Sequence, residues 1–316
     1  MNRINENMVT FGDLFTKGIS GMKNVSMLLE TNAIAEEFAD RMAVIGVLKL
    51  VEMNASCPNL SFVKNVNFHT KNINVIKVID LTGYFAYLSG LFMKDEFIFT
   101  HSQLLKVFKY SDNGDCLAEL KLPNSLYDID KINDTIVAIS ANLNNMFIIN
   151  THDMSLCRRI ENTYPVHGFC HINGEFILAC SNTLTWINTF TGVKNEQART
   201  NGNTYFIHAE DRKHYICADG KNAVTRMVNN TKAFTYTNSK LKSPRDIDVD
   251  CEGNVYICGY KSENIHQLSN NGKLVRIFPT DKIGIKQPWV IRFKKNSNQF
   301  FVTCYRTGKV VVCEII

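Results

Sequence analysis

From Asn72 to the C-terminus the chain is written in short apolar runs separated by Gly, Asn, Asp and Ser. Leu241–Phe278 shows the pattern most clearly, with DIDV, VYIC, IHQL and LVRIF divided by CEGN, KSEN and NNG. Runs of this length predict strands, and the punctuation between them supplies Asx turns or positive φ. Four strands in about forty residues predict one meandering sheet.

The unit repeats. Second strands begin at Glu96, Thr135, Glu175, His214, Asn254 and Gln299, at steps of 39, 40, 39, 40 and 45 residues. Third strands keep the same spacing, from Lys106, Met146, Thr185, Val224, Ile265 and Val310. Six copies predict an all-β, six-bladed β-propeller over residues 72–316. Blades are expected at 83–122, 123–162, 163–200, 201–239, 240–279 and 280–316. Fourth strands start near Leu117, Leu156, Val193, Ala233 and Leu274, but the sixth copy stops at Ile316 without one. The isolated run NINVIKVIDL, residues 72–81, is predicted to supply it and so remove an open edge. Runs such as FIF, FILAC and VYIC are apolar on both faces, as sheets packed between two neighbours require. Four of the six prolines (Pro123, Pro165, Pro244 and Pro288) fall where one blade hands over to the next, where no ladder hydrogen bond is lost.

Upstream the character changes. Residues 1–24 are polar and broken by Gly, whereas Val25–Ala55 is rich in helix formers and predicts a helical segment. An imperfect heptad frame through Met27, Ile34, Phe38, Ile45 and Leu48 suggests the end of a coiled coil and a homodimer through residues 25–55. Cys57-Pro58-Asn59 ends it, and residues 56–71 are expected to be a linker.

Composition narrows the possibilities modestly. A net charge of +5 over 316 residues argues only weakly for a polyanionic partner. No basic-then-apolar leader and no apolar run of membrane-spanning length is seen, so the expectation is a cytoplasmic protein with no membrane partner. The ten cysteines include no C-x-x-C pair, and Cys180, Cys217, Cys258, Cys304 and Cys313 fall inside strand runs. Buried reduced thiols are expected.

Candidate chemistry is sparse. His167 and His171 would lie ~13 Å apart on one strand, too far for one metal. The inner-strand acids are Asp128, Asp130, Glu210, Asp246, Asp248 and Asp250, of which Asp246 and Asp248, two apart on one face, could approach a cation. The aligned residues of other blades (Tyr84, Gly168, Ile207, Val290 and Arg292) offer no ring of oxygen ligands, so solvated or loop-bonded carboxylates are expected. No cofactor, metal site or catalytic residue is predicted, and no nucleophile elbow or phosphate loop occurs. One loop face does interleave bases with aromatics: Lys121, Tyr164, Lys240, Lys242, Arg245, Tyr260, Lys261, Lys286, Gln287, Trp289, Tyr305 and Arg306. Such a mixture suits a protein or RNA partner, while Trp289 could equally be core.

Residues 241–274 resemble an NHL repeat: Pro, an apolar inner strand, an acidic-Gly-Asn turn, VYI, then Asn and Asn-Gly. IKQPWVIRFKKNSNQFFVTCYRTGKVVVCEI resembles the closing repeat of the propellers that end invertebrate tripartite-motif proteins. That resemblance implies a propeller that selects ubiquitination substrates or binds RNA, beside a RING finger that transfers ubiquitin. A RING or B-box needs paired Cys/His zinc ligands, and Cys57 is the only cysteine before Cys116. The expectation is therefore a non-enzymatic recognition module binding a protein partner. The alternatives are an RNA-binding regulator and a metal-dependent, lactonase-like hydrolase in the channel.

Overall fold

The computed structural model describes residues 72–81, 87–161, 166–200, 202–219 and 222–316. The predicted helix, the coiled-coil dimer contact and the linker all lie outside them, as does Tyr164. The described residues form six four-stranded antiparallel sheets, a six-bladed propeller, with one short 3-10 turn, Thr280–Ile283, as the sole helical piece among them. No helix among them is long and apolar enough to cross a membrane.

The innermost strands are Leu88–Phe92, Leu126–Lys131, Phe169–Ile172, Ile207–Ala209, Pro244–Val249 and Pro288–Phe293. Blades one to five follow chain order from the channel outward. Blade six takes its outer strand from the other end of the chain. Ile73–Asp80 pairs antiparallel with Lys309–Ile315, Ile73 opposite Ile315 and Asp80 opposite Lys309, with a register shift between Val75 and Lys77. Asn72 and Ile316 exchange both backbone hydrogen bonds, at 3.0 and 2.9 Å. The closure predicted for NINVIKVIDL is thus observed.

The two-faced apolar pattern follows from the packing. A separate hydrophobic cluster fills each of the six seams between neighbouring blades. At the closing seam Phe97, Phe99 and Phe301 meet edge-to-face and stacked, in one buried cluster with Ile79 of the N-terminal strand and Leu81 just after it. Middle strands, covered on both sides, are buried along almost their whole length, whereas outer strands such as Lys194–Arg199 are mostly exposed. Two of the turns read from the sequence carry the required left-handed glycine, Gly253 at φ 80° and Gly272 at φ 81°.

Nine cysteines among the described residues are free thiols. Burial pushes the Cys180 thiol up to about 11 and Cys313 up to about 12. Both therefore behave as small apolar side chains.

Candidate functional site

The innermost strands of blades two, five and six share a local irregularity. Their pairing to the second strand shifts between Leu126 and Ile129, between Pro244 and Ile247, and between Pro288 and Ile291. An extra residue in one strand re-aims side chains. Here the residues inside each shift are Tyr127-Asp128, Arg245-Asp246 and Trp289-Val290. The first of each pair turns into the channel mouth. In blades two and five the second, an aspartate, turns toward a neighbouring blade.

At the mouth six side chains surround a cavity of about 370 Å³: Tyr87, Tyr127, His167, Tyr205, Arg245 and Trp289, with Phe206 completing the lining. One comes from each blade, within two residues of the start of its innermost strand. Neighbours touch ring to ring: Tyr127 with His167 at 5.3 Å, His167 with Tyr205 at 5.4 Å, and Trp289 with Tyr87 at 5.1 Å. Tyr260 and Tyr305, from the turns after the second strands of blades five and six, stand behind Trp289 at 5.6 and 4.8 Å.

Arg245 is the cation of this ring. Its guanidinium lies over the Trp289 indole at 4.6 Å and near Tyr260 and Tyr205 at 5.5 and 5.6 Å. Burial lowers its pKa, while the phenols of Tyr205, Tyr260, Tyr87 and Tyr305 act the other way. Arginine nonetheless stays protonated in proteins, and its buried Nε has no hydrogen-bond partner among them. Burial, with Arg245 adding to it, lowers the pKa of His167 and keeps that imidazole neutral at pH 7.

Deeper in the channel the aspartates clasp blades together. In blade two, Asp128 Oδ2 accepts from Phe169 N at 3.3 Å and Asp130 Oδ2 from His171 N at 2.6 Å. In blade five, opposite in the ring, Asp246 Oδ2 accepts from Ile291 N at 2.9 Å and Asp248 Oδ2 from Phe293 N at 2.6 Å. Each Asp-Ile-Asp therefore caps two alternate N–H groups of the next blade's innermost strand. Arg292 donates to Asp246 and reaches Asp128, and His208 Nδ1 lies 2.9 Å from Asp248. These carboxylates are not solvated or loop-bonded as expected. Asp128 and Asp246 are 1% exposed. Strand pairing also places Phe206 and His208, not Ile207, at the blade-four positions matching Asp246 and Asp248. Desolvation raises Asp130 to about 6 against the pull of its backbone donors. No group of three His, Cys, Asp or Glu side chains able to hold a metal is found among the described residues. The two histidines weighed as a pair separate: His167 joins the mouth two residues ahead of its strand, and His171 sits inside the strand against Phe176.

Of the candidates read from the sequence, Arg245, Tyr260, Trp289 and Tyr305 come together in one cluster. Trp289 and Tyr305 are also part of the closing-seam core. Arg306 lies over the Tyr305 ring at 4.8 Å, and Gln287 O accepts from Tyr305 N. Lys242 and Lys261 are joined by a backbone hydrogen bond and, like Lys240 and Lys286, are exposed. Lys121 ends the outer strand of blade one, opposite Lys106 in the ladder. Tyr87, Tyr127, Tyr205 and Phe206 were not among the candidates, and His167 was weighed only as a metal ligand. Their signal was available: the six mouth residues recur 38 to 44 apart, in a column that alignment on second and third strands passes over.

No protein-family model matches the chain, and no curated protein matches it. Among solved structures it is similar to the β-propeller domain of Cps50 (Swd1) from Myceliophteria thermophila. The TM-score is 0.59 at 10% identity, over 78% of this chain and all of that one. At that identity the likeness establishes the fold.

Proposed function

We propose that the protein is a non-catalytic recognition module of the tripartite-motif NHL kind, a substrate adaptor that engages a protein partner at its mouth face. One observation carries the reading: all six blades contribute a side chain to a single concave site, which is rich in aromatics and holds an Arg. Tyr, Trp and Arg in a partly desolvated pocket are the residues that dominate protein–protein binding energy. The four channel aspartates bond neighbouring backbone, so they serve the ring's closure rather than hydrolysis.

A second reading, RNA binding, draws on the stacked Trp289–Tyr305 pair with Arg306 over its outer ring and lysines nearby. Affinity capture from lysate, with and without nuclease, separates the two. The control is a variant carrying Lys242→Glu, Lys261→Glu and Lys286→Glu. Nuclease-resistant partners lost in the variant support protein recognition, and nuclease-sensitive capture supports RNA. A partner set indifferent to both treatments refutes a role for this face.

A further inference from the structure

An aromatic ring around a cavity ordinarily suits a cation, which the ring faces attract. Here that place is filled from within. Arg245 already lies against Trp289, Tyr205 and Tyr260, so a second cation would meet a like charge at close range. Arg226 and Arg292 of the neighbouring blades form ion pairs that leave Arg245 out, and its Nε is buried without an acceptor among the described residues. The missing component is an anion.

The shape restricts which anion. The Arg245 guanidinium carries its N–H donors in a rigid planar fork, and it lines a cavity bounded mostly by flat rings. A planar carboxylate can meet that fork with two parallel hydrogen bonds. A phosphodiester would have to fit two sugar-bearing ester arms into the same ring-lined space of about 370 Å³. The surroundings restrict the source. Lys242, Lys261 and Lys286 are exposed on the two blades that hold Arg245 and Trp289. A lone chain terminus would leave these charges unused, whereas a segment with several acids would engage them.

We propose that this cavity receives the carboxylate of an internal Asp or Glu in an acidic peptide segment of the partner, with an adjacent apolar side chain packed on Tyr87, Tyr205 and Trp289. The proposal rests on the recognition reading above and names the chemistry of what is recognised.

The full chain labelled with 5-fluorotryptophan tests it, because it carries two tryptophans, Trp289 in the mouth and Trp186 buried in another seam. Benzoate, phenyl phosphate and benzyltrimethylammonium are titrated, followed by three longer probes. These are a blocked peptide with internal glutamates beside leucine, the same peptide with glutamate only at a free C-terminus, and oligouridylate. The expected result is a saturable shift of the Trp289 fluorine signal by benzoate and, at least tenfold more tightly, by the internal-glutamate peptide. The Trp186 signal stays fixed throughout. Arg245→Gln abolishes the shift and Arg245→Lys weakens it by tenfold or more, both with an unmoved Trp186 signal that reports an intact fold. Tighter response to the ammonium, to phenyl phosphate or oligouridylate, or to the C-terminal glutamate overturns the proposal, as does binding unchanged in Arg245→Gln. If lysate partners are lost in the lysine-reversal variant but retained in Arg245→Gln, the recognition reading stands and this inference fails.

Discussion

Asp128 and Arg292 are 164 residues apart in sequence and 3.4 Å apart in the channel. The same guanidinium also bonds Asp246, so one side chain from blade six neutralises buried acids of blades two and five. Removing one partner of a buried pair costs about 3–5 kcal/mol because the other charge is left stranded. Arg292→Met should therefore lower unfolding stability in urea by about that amount, and adding Asp246→Asn should recover part of it. A loss under about 1 kcal/mol for the single variant would show that the aspartates are held by backbone donors alone.

The N-terminal strand is expected to be indispensable. A chain beginning at residue 82 exposes the Lys309–Ile315 edge and removes Ile79 and Leu81 from the closing-seam cluster. Its thermal transition should broaden or vanish by circular dichroism. An unchanged midpoint and sharpness would mean that the ring closes without it.

Acid should act on two groups in opposite senses. His266 is fully buried; its Nδ1 accepts from the Tyr236 hydroxyl and its Nε2 faces Lys240 O, and burial lowers it to about 4. Between about pH 6.5 and 4 the unfolded chain takes up a proton that the native site refuses. Its contribution of about 3 kcal/mol is thus present above that window and lost as pH falls through it. Asp130, raised to about 6, holds its proton more tightly in the native state, so it favours folding as pH falls over nearly the same range. The wild-type profile is a partial cancellation. Stability measured from pH 7.5 to 4 should fall less steeply in His266→Gln and more steeply in Asp130→Asn; identical slopes in all three proteins would rule out both assignments.

Gly168 lies between His167 and the innermost strand of blade three. A Cβ there would sit 2.2 Å from Tyr205 O and 3.0 Å from Phe206 Cα, backbone that cannot swing aside. Gly168→Ala should destabilise by about 1–3 kcal/mol, as overpacking does. It should also displace Tyr205 from the mouth. Normal stability together with unaltered mouth chemical shifts would contradict this.

The architecture was legible because the second and third strands are covered on both sides, so each repeat writes the same apolar block. Outer strands such as Lys194–Arg199 face solvent and carry little signal, yet chain order places them. The mouth was legible only in part. Arg245, Tyr260, Trp289 and Tyr305 stood out as bases and aromatics near turns, in the two repeats whose punctuation is strongest. Tyr127, His167 and Tyr205 come from weaker repeats and gain meaning only when six distant positions converge. The role of the Asp-Ile-Asp pairs could not be read at all. Their partners are backbone N–H groups, which every residue but proline carries, and the relevant ones lie 41 and 45 residues downstream.

Asn72 and Ile316 face each other across a single rung of the β-ladder. In residues 72–316 taken alone, splicing those two residues through a short linker and cutting instead at an exposed hairpin, such as that around Gly114, would preserve every strand pairing described above. The blades are beads on a loop, and which bead the chain meets first is a matter of where the thread was cut.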